Sequence, residues 1–91
     1  MSVYQVNKIC RDILHDLNFR STTKNDPVKS LSFFSLTSEE RKFLLSGDVA
    51  SLYKLGANPF LLQNLARFNI FGLNYENYNK RMRSIENWGI L

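Results

Sequence analysis

The chain has 91 residues, of which 44 % are hydrophobic and 22 % charged, so it is long enough for one domain with a modest core. Its single cysteine, Cys10, excludes an intramolecular disulfide and a cysteine-based zinc site. The N-terminus lacks an apolar signal region, and no apolar run approaches the roughly 20 residues of a membrane span. These features predict a cytoplasmic protein that does not contact a membrane.

The net charge of +4 would indicate a nucleic-acid partner only if the cations clustered. Most lysines and arginines are spread along the chain, and several are next to acidic residues. Lys80, Arg81 and Arg83 form the only group, close to the end of a predicted helix, where the helix dipole favours cations. The charge pattern therefore favours a mixed, solvated surface over a nucleic-acid binder.

The first segment has the pattern of an amphipathic helix, with apolar residues three or four positions apart. Its apolar positions are Val3, Val6, Ile9, Cys10, Ile13, Leu14 and Leu17. The polar stretch that follows, residues 20–25, predicts a loop.

Each later helix is predicted to begin at a residue that can cap it. These residues are Asp26 before Pro27, Thr37 with Glu40 at capping-box spacing, Asp48, Asn58 before Pro59, and Asn74. The helix after Asp26 is expected to reach Phe34, and the last one to reach Ile85. No strand-like alternation occurs, so residues 1–91 are predicted to form one all-α domain, an irregular array of five to six short helices.

The segment after Asn58 is apolar over most of its predicted helical circumference. Leu61, Leu65 and Phe68 share one stripe, and Leu62 and Ala66 lie beside it. Such a helix is expected either at the centre of the fold or beneath a partner.

The chain lacks the residues of an independent active site. His15 is the only histidine and is expected on the polar side of the first helix. It lies five positions from Cys10, which on a helix places the two about 140 degrees apart, too far for a nucleophilic pair. Cys10 is expected to be a small core residue. The isolated glycines form no phosphate-binding loop, so the chain is predicted to be non-catalytic alone.

Several short elements resemble the small (alpha) subunit of protocatechuate 4,5-dioxygenase-type extradiol ring-cleavage enzymes. Tyr4, Asn7 and Leu14 match that family's opening pattern. An L-T-x-E-E element runs from Leu36 to Glu40, and an acidic residue, Asp48, then opens a short helix. A G-A-N turn at residues 56–58 precedes the apolar helix. The chain is more similar to compact small subunits, such as that of 2'-aminobiphenyl-2,3-diol 1,2-dioxygenase, because a long N-terminal extension is missing and the segment after Phe68 is short.

The resemblance implies that this chain packs against a larger catalytic subunit, within a heterotetramer. In that family the large subunit holds iron(II) through two histidines and a glutamate, and it opens a catecholic ring with dioxygen. The small subunit closes over the iron site and helps to form the substrate pocket. The resemblance thus implies an enzyme subunit that needs no cofactor of its own.

Two segments are candidates for the substrate-pocket lid: Asn58, Pro59 and Phe60 at the start of the apolar helix, and Phe68 and Phe71 after it. Rigid backbone with aromatic tips suits a pocket that excludes water. In the alternative interpretation Phe60 and Phe68 are core residues and Asn58 is only a helix cap. Phe71 is the strongest candidate for a contact with substrate.

A second function remains open at this point. Domains similar to this small subunit also serve as recognition regions for peptide-modifying enzymes, with the modified segment at the C-terminus. The apolar tail, residues 85–91, is compatible with that role, although it is short. Modification of residues between Trp88 and Leu91 in the cellular protein would favour it.

Overall fold

The computed structural model describes residues 3–84, and most of these residues are helical, with no strand among them. The seven α-helices are α1 (Val3–His15), α2 (Leu17–Asn25), α3 (Pro27–Leu31), α4 (Ser38–Ser46), α5 (Val49–Lys54), α6 (Pro59–Arg67) and α7 (Tyr75–Arg83). A single 3-10 turn (Ile70–Gly72) lies between α6 and α7. The all-α prediction is confirmed, with one helix more than expected. None of these helices has the length and apolar character that a membrane crossing requires.

The core is centred on α1 and α6. The α1 residues Val6, Ile9, Cys10 and Ile13 are fully buried, as the helical spacing predicts. α6 packs against α1 on one side and α7 on another, which confirms the central position expected of this apolar helix. A buried hydrogen bond, from Asn64 Nδ2 to the carbonyl oxygen of Cys10 (3.1 Å), joins the two central helices.

Residues 20–25 form most of α2, so the loop predicted there is wrong. α1 ends at His15 because Asp16 adopts an extended conformation and caps α2, its side chain accepting from the backbone N–H of Phe19 (3.0 Å). Leu17, expected on the buried face of α1, therefore begins α2 and is 71 % exposed. The polar α2 is stabilised by packing against α1, α3 and the 3-10 turn, and these tertiary contacts override its weak helical pattern.

The helix after Asp26 is shorter than predicted. Asp26 accepts from the backbone N–H of Lys29, and Pro27 occupies the first turn, as expected. The helix ends at Leu31, so Phe33 and Phe34 lie in the turn that follows. Phe34 packs edge-to-face on Phe19 of α2, with 5.6 Å between ring centroids, while Phe33 is 77 % exposed.

The predicted caps of the remaining helices are confirmed. Thr37 and Glu40 form a reciprocal capping box at α4, and Gly47 ends that helix in the left-handed region at φ 69°. Asp48 caps α5, and Asn74 caps α7. The expectation that the last helix reaches Ile85 concerns a residue outside the described range, as does the apolar tail.

Candidate functional site

The first predicted lid segment lies at the N-terminus of α6. The side chain of Asn58 accepts from the backbone N–H groups of Phe60 (2.8 Å) and Leu61 (3.4 Å), so Asn58 is a helix cap. The backbone N–H of Asn58 donates to Asn7 Oδ1 on α1 (2.9 Å). The hydroxyl of Tyr78 on α7 donates to the carbonyl oxygen of Pro59 (3.1 Å). This end of α6 is thus attached to two other helices.

Phe60 extends from this anchored helix end into solvent. Its side chain is 78 % exposed, so the interpretation of Phe60 as a core residue is wrong. Burying an aromatic ring of this size in an interface removes a large apolar area from water. The position therefore suits contact with another molecule.

Phe68 lies at the other end of α6, between two arginines. The guanidinium carbon of Arg20 is 3.7 Å from the centroid of the Phe68 ring, and that of Arg67 is 5.2 Å away. Both arrangements fall within the range of cation–π attraction. Phe68 is half-buried. One part of its side chain packs against the core cluster, and the rest is accessible to another molecule.

Phe71 lies in a turn of unusual backbone conformation. Asn69 (φ 55°), Phe71 (φ 57°) and Gly72 (φ 76°) all lie in the left-handed region. The conformation is natural for glycine and tolerable for asparagine, but for phenylalanine it costs on the order of 1–3 kcal/mol. Such strain persists only where surrounding contacts enforce it, and it concentrates at functional sites.

The two lid segments do not form one cluster. They lie at opposite ends of α6: Phe60 is its second residue and Phe68 follows its last, which at 1.5 Å per residue separates these two by roughly 12 Å along the axis. Gln63 and Arg67 are exposed and lie three and seven positions after Phe60, so they continue its stripe toward Phe68. We call Phe60, Gln63, Arg67, Phe68 and Phe71 the α6 surface.

Arg20 is a residue of this region that the sequence pattern did not reveal. Its Nε donates to the carbonyl oxygen of Ile13 (2.8 Å) and one terminal nitrogen donates to that of Leu14 (2.9 Å). The guanidinium group thus caps the C-terminus of α1 while it stacks on Phe68. No local signal identifies this role, because Arg20 lies in a polar stretch far from Phe68 in the chain.

The described residues do not assemble an iron site. Nowhere in residues 3–84 do three or more histidine, cysteine or carboxylate side chains gather in a way that could hold a metal ion. His15 is exposed, as predicted, and Cys10 is fully buried. An iron(II) ligand set therefore does not fit this part of the chain, and no chemical step is assigned to a metal held by it.

One of the three cations at the end of α7 forms hydrogen bonds to another helix. Lys80, Arg81 and Arg83 all lie in its last turn, as predicted. Arg81 reaches α4, where its Nη1 donates to the carbonyl oxygens of Gly47 (2.7 Å) and Ser46 (3.4 Å). One member of the group is therefore a cap for another helix, which weakens the nucleic-acid interpretation.

The fold and this surface define a small helical protein with one exposed aromatic side chain on α6, Phe60, and two partly buried ones that pack against the core, Phe68 and Phe71. Residues 6–86 match a family model described as "Aromatic-ring-opening dioxygenase LigAB, LigA subunit". The match spans most of the 91 residues, and the chain belongs to this family of small dioxygenase subunits. No curated protein and no solved structure matches the chain.

The family match confirms the resemblance derived from the short motifs between Tyr4 and Phe60. The alternative role in recognition by a peptide-modifying enzyme depends on Trp88 to Leu91, which lie outside the described residues, and it stays a prediction.

Proposed function

We propose that this chain is the non-catalytic small subunit of an extradiol ring-cleavage dioxygenase. It covers the iron(II) site of a large subunit and shapes the pocket for a catecholic substrate. Membership of the LigA family over residues 6–86 is the observation that carries the proposal. The proposed complex is a cytoplasmic heterotetramer, and its metal ligands come from the large subunit.

The α6 surface is the part of this chain that we assign to the partner. Phe60 is 78 % exposed, and a stable interface usually buries more than about 1,000 Å² in total with aromatic residues near its centre. Tyr4, Leu55 and Tyr75 are also exposed, at 59 %, 44 % and 55 %, and belong to the helices and loop around the start of α6. These side chains can extend the apolar contact beyond Phe60.

In the proposed complex, the residues of this chain exclude water from the substrate pocket and orient the substrate. An apolar aromatic side chain over the pocket keeps water from reactive intermediates and strengthens the electrostatic interactions inside. Phe71 suits this role because its backbone is held in one strained conformation. Asn58, Pro59 and Phe60 are the second contact of the proposed lid, and Phe68 belongs to the lid as the residue that ends α6 before the turn of Phe71.

Co-expression with a large subunit tests the proposal. The partner to be tried is a neighbouring reading frame that encodes paired histidines, with protocatechuate and 2'-aminobiphenyl-2,3-diol as substrates. We expect the purified chain to show no ring opening, and the complex to co-purify in fixed stoichiometry and to cleave one of the two catechols. Ring opening by the isolated chain, or failure of the two proteins to associate, would contradict the proposal.

Phe71→Ala tests the lid in the reconstituted complex. We expect a higher KM and a lower kcat, because the substrate loses an apolar contact and the pocket admits water. Phe33→Ala is the matched control, since Phe33 is an exposed phenylalanine on the turn after α3, outside both lid segments. Unchanged substrate affinity and turnover in Phe71→Ala would remove Phe71 from the pocket.

A further inference from the structure

The left-handed turn that contains Phe71 packs directly against Gly47, the residue that ends α4. A Cβ atom at position 47 would lie 3.0 Å from the carbonyl oxygen of Phe71 and 3.1 Å from Cγ of Leu73. It would also lie 2.8 Å from Nη1 of Arg81. The arginine side chain could move away, but the Phe71 oxygen is backbone, so a larger residue at position 47 requires the turn and the end of α4 to separate by a few tenths of an ångström.

Arg20 restrains the same turn from its other end. Its two hydrogen bonds to the C-terminus of α1 fix the guanidinium plane, and the Phe68 ring stacks on that plane at 3.7 Å. Phe68 is the last residue before the chain enters the left-handed conformation at Asn69. A lysine would keep the charge at position 20 but would lose both the fork of donors and the flat stacking surface.

Contacts within the turn do not account for its conformation. The side chain of Asn69 donates to the carbonyl oxygen of Leu73 (3.1 Å). The backbone N–H of Leu73 donates to the carbonyl oxygen of Ile70 (3.1 Å). These bonds close the turn, yet the strain at Phe71 remains and needs external support. α2, α4 and α6 all pack against the 3-10 turn and supply that support.

We propose that Gly47 and Arg20 are positioning residues for Phe71. Together they hold residues 68–73 in the strained conformation and so determine where Phe71 meets the substrate pocket. Neither residue touches the substrate. The inference rests on the proposed function for the role of Phe71, but the restraint of the turn can be measured without the large subunit.

Amide hydrogen exchange in the full-length chain tests the restraint. In Gly47→Ala and Arg20→Lys we expect exchange of the Leu73 amide to accelerate roughly tenfold relative to the Leu65 amide in the core, because the turn opens locally. Gly56→Ala is the matched control for glycine: Gly56 also has a positive φ of 111°, but nothing lies within 4 Å of an added Cβ. Arg11→Lys, at an exposed position of α1, is the control for arginine.

In both control variants, the amide exchange rates of Leu73 and Leu65 should change by the same factor. If the Gly47 and Arg20 variants did the same, the turn would not depend on these residues and the inference would be overturned.

Steady-state kinetics of the reconstituted complex, with whichever of the two catechols it cleaves, test the functional part. Misplacing Phe71 should lower kcat/KM on the order of tenfold in Gly47→Ala and in Arg20→Lys. If both residues act through Phe71, neither substitution should lower kcat/KM further in a Phe71→Ala background. A merely structural role would instead give the same loss in both backgrounds.

The outcomes separate this inference from the proposed function. Equal losses with and without the Phe71 side chain would overturn the positioning role and leave the lid intact. Normal kinetics in Phe71→Ala itself would remove Phe71 from the proposed lid, and with it the positioning role of Gly47 and Arg20 in catalysis.

Discussion

Burial suppresses the acidity of two side chains in the core. Burial of Cys10 in α1 raises its pKa from 9.0 to about 12, because a thiolate would lie in an apolar environment. Burial, and secondarily the charge of a Cys10 thiolate, raises the pKa of Tyr78 from 10.0 to about 12. The thiol is therefore a packing group, not a nucleophile.

These shifts predict that the protein loses stability in alkali. Between pH 9 and 12 the unfolded chain releases the Cys10 proton while the folded chain retains it, so unfolding becomes more favourable as pH rises. The contribution of Cys10 is complete below pH 9 and should fall by about 2–3 kcal/mol at pH 11. Urea unfolding of the wild type and Cys10→Ala across this range measures the difference.

In Cys10→Ala the decline between pH 9 and 10 should flatten, leaving the part that belongs to Tyr78 above pH 10. Parallel pH profiles of the two proteins would contradict the assignment. Comparing the two cancels the titration of surface lysines, which both proteins share.

Residue types gave an incomplete prediction of which aromatic rings are buried. Phe60 is exposed and Phe68 half-buried, although both occupy an apolar helix pattern. The sequence identifies Asn58 as a cap because the cap contacts are local. It does not identify the face of α6 that lacks a covering helix, because that depends on the positions of α1 and α7.

At the scale of elements, the starts of α3 to α7 were predicted accurately because each depends on residues within one turn. Thr37 and Glu40 illustrate this: the Thr37 hydroxyl accepts from the backbone N–H of Glu40 (3.1 Å), and the Glu40 carboxylate accepts from that of Thr37 (2.9 Å). Both partners are visible in the sequence as a spacing of three.

Thr37→Ala should destabilise the protein by about 1 kcal/mol, because the backbone N–H of Glu40 loses its acceptor. For a domain of this size the loss corresponds to a decrease in Tm of about 4–8 °C. Ser38→Ala is the control, since Ser38 is exposed in the same turn and should leave Tm nearly unchanged. Equal decreases in the two variants would show that the capping box adds nothing specific.

α2 is the element that the sequence missed. Its polar composition indicates a loop, but its N-cap Asp16, the contacts of Arg20 and packing against α1 and α3 stabilise a helix. The last two of these depend on other parts of the chain. The spacing of apolar residues gives no helical signal in this polar segment, so the sequence pattern predicts a loop.

Over the described residues as a whole, the large exposed apolar side chains divide into two regions of the chain. Phe60 belongs to the α6 surface, with Tyr4, Leu55 and Tyr75 on α1, at the end of α5 and on α7, whereas Leu17, Val28 and Phe33 belong to α2, α3 and the turn after α3. The proposed function assigns the large subunit to the first region. Substitutions in the two regions can therefore locate the interface.

Phe60→Asp should weaken the complex at least about tenfold in Kd while leaving the fold intact, because an exposed position tolerates the charge and an apolar interface does not. Phe33→Asp is the control, with nearly the same exposure, 77 % against 78 %. Calorimetric titration with the large subunit measures both, and Tm confirms folding. Weaker binding in Phe33→Asp alone would move the interface to the other region.

Caps, apolar spacing and short motifs are local features, so the amino-acid sequence predicts the helical class, most helix starts and the family. Tertiary contacts, in contrast, make residues 20–25 helical, leave Phe60 exposed and place the two lid segments at opposite ends of α6. They alone bring Gly47 and Arg20 to the turn of Phe71. The physical reason is that these features depend on contacts between residues distant in the chain, such as Asn7 with Asn58, 51 positions apart, and no local pattern records them.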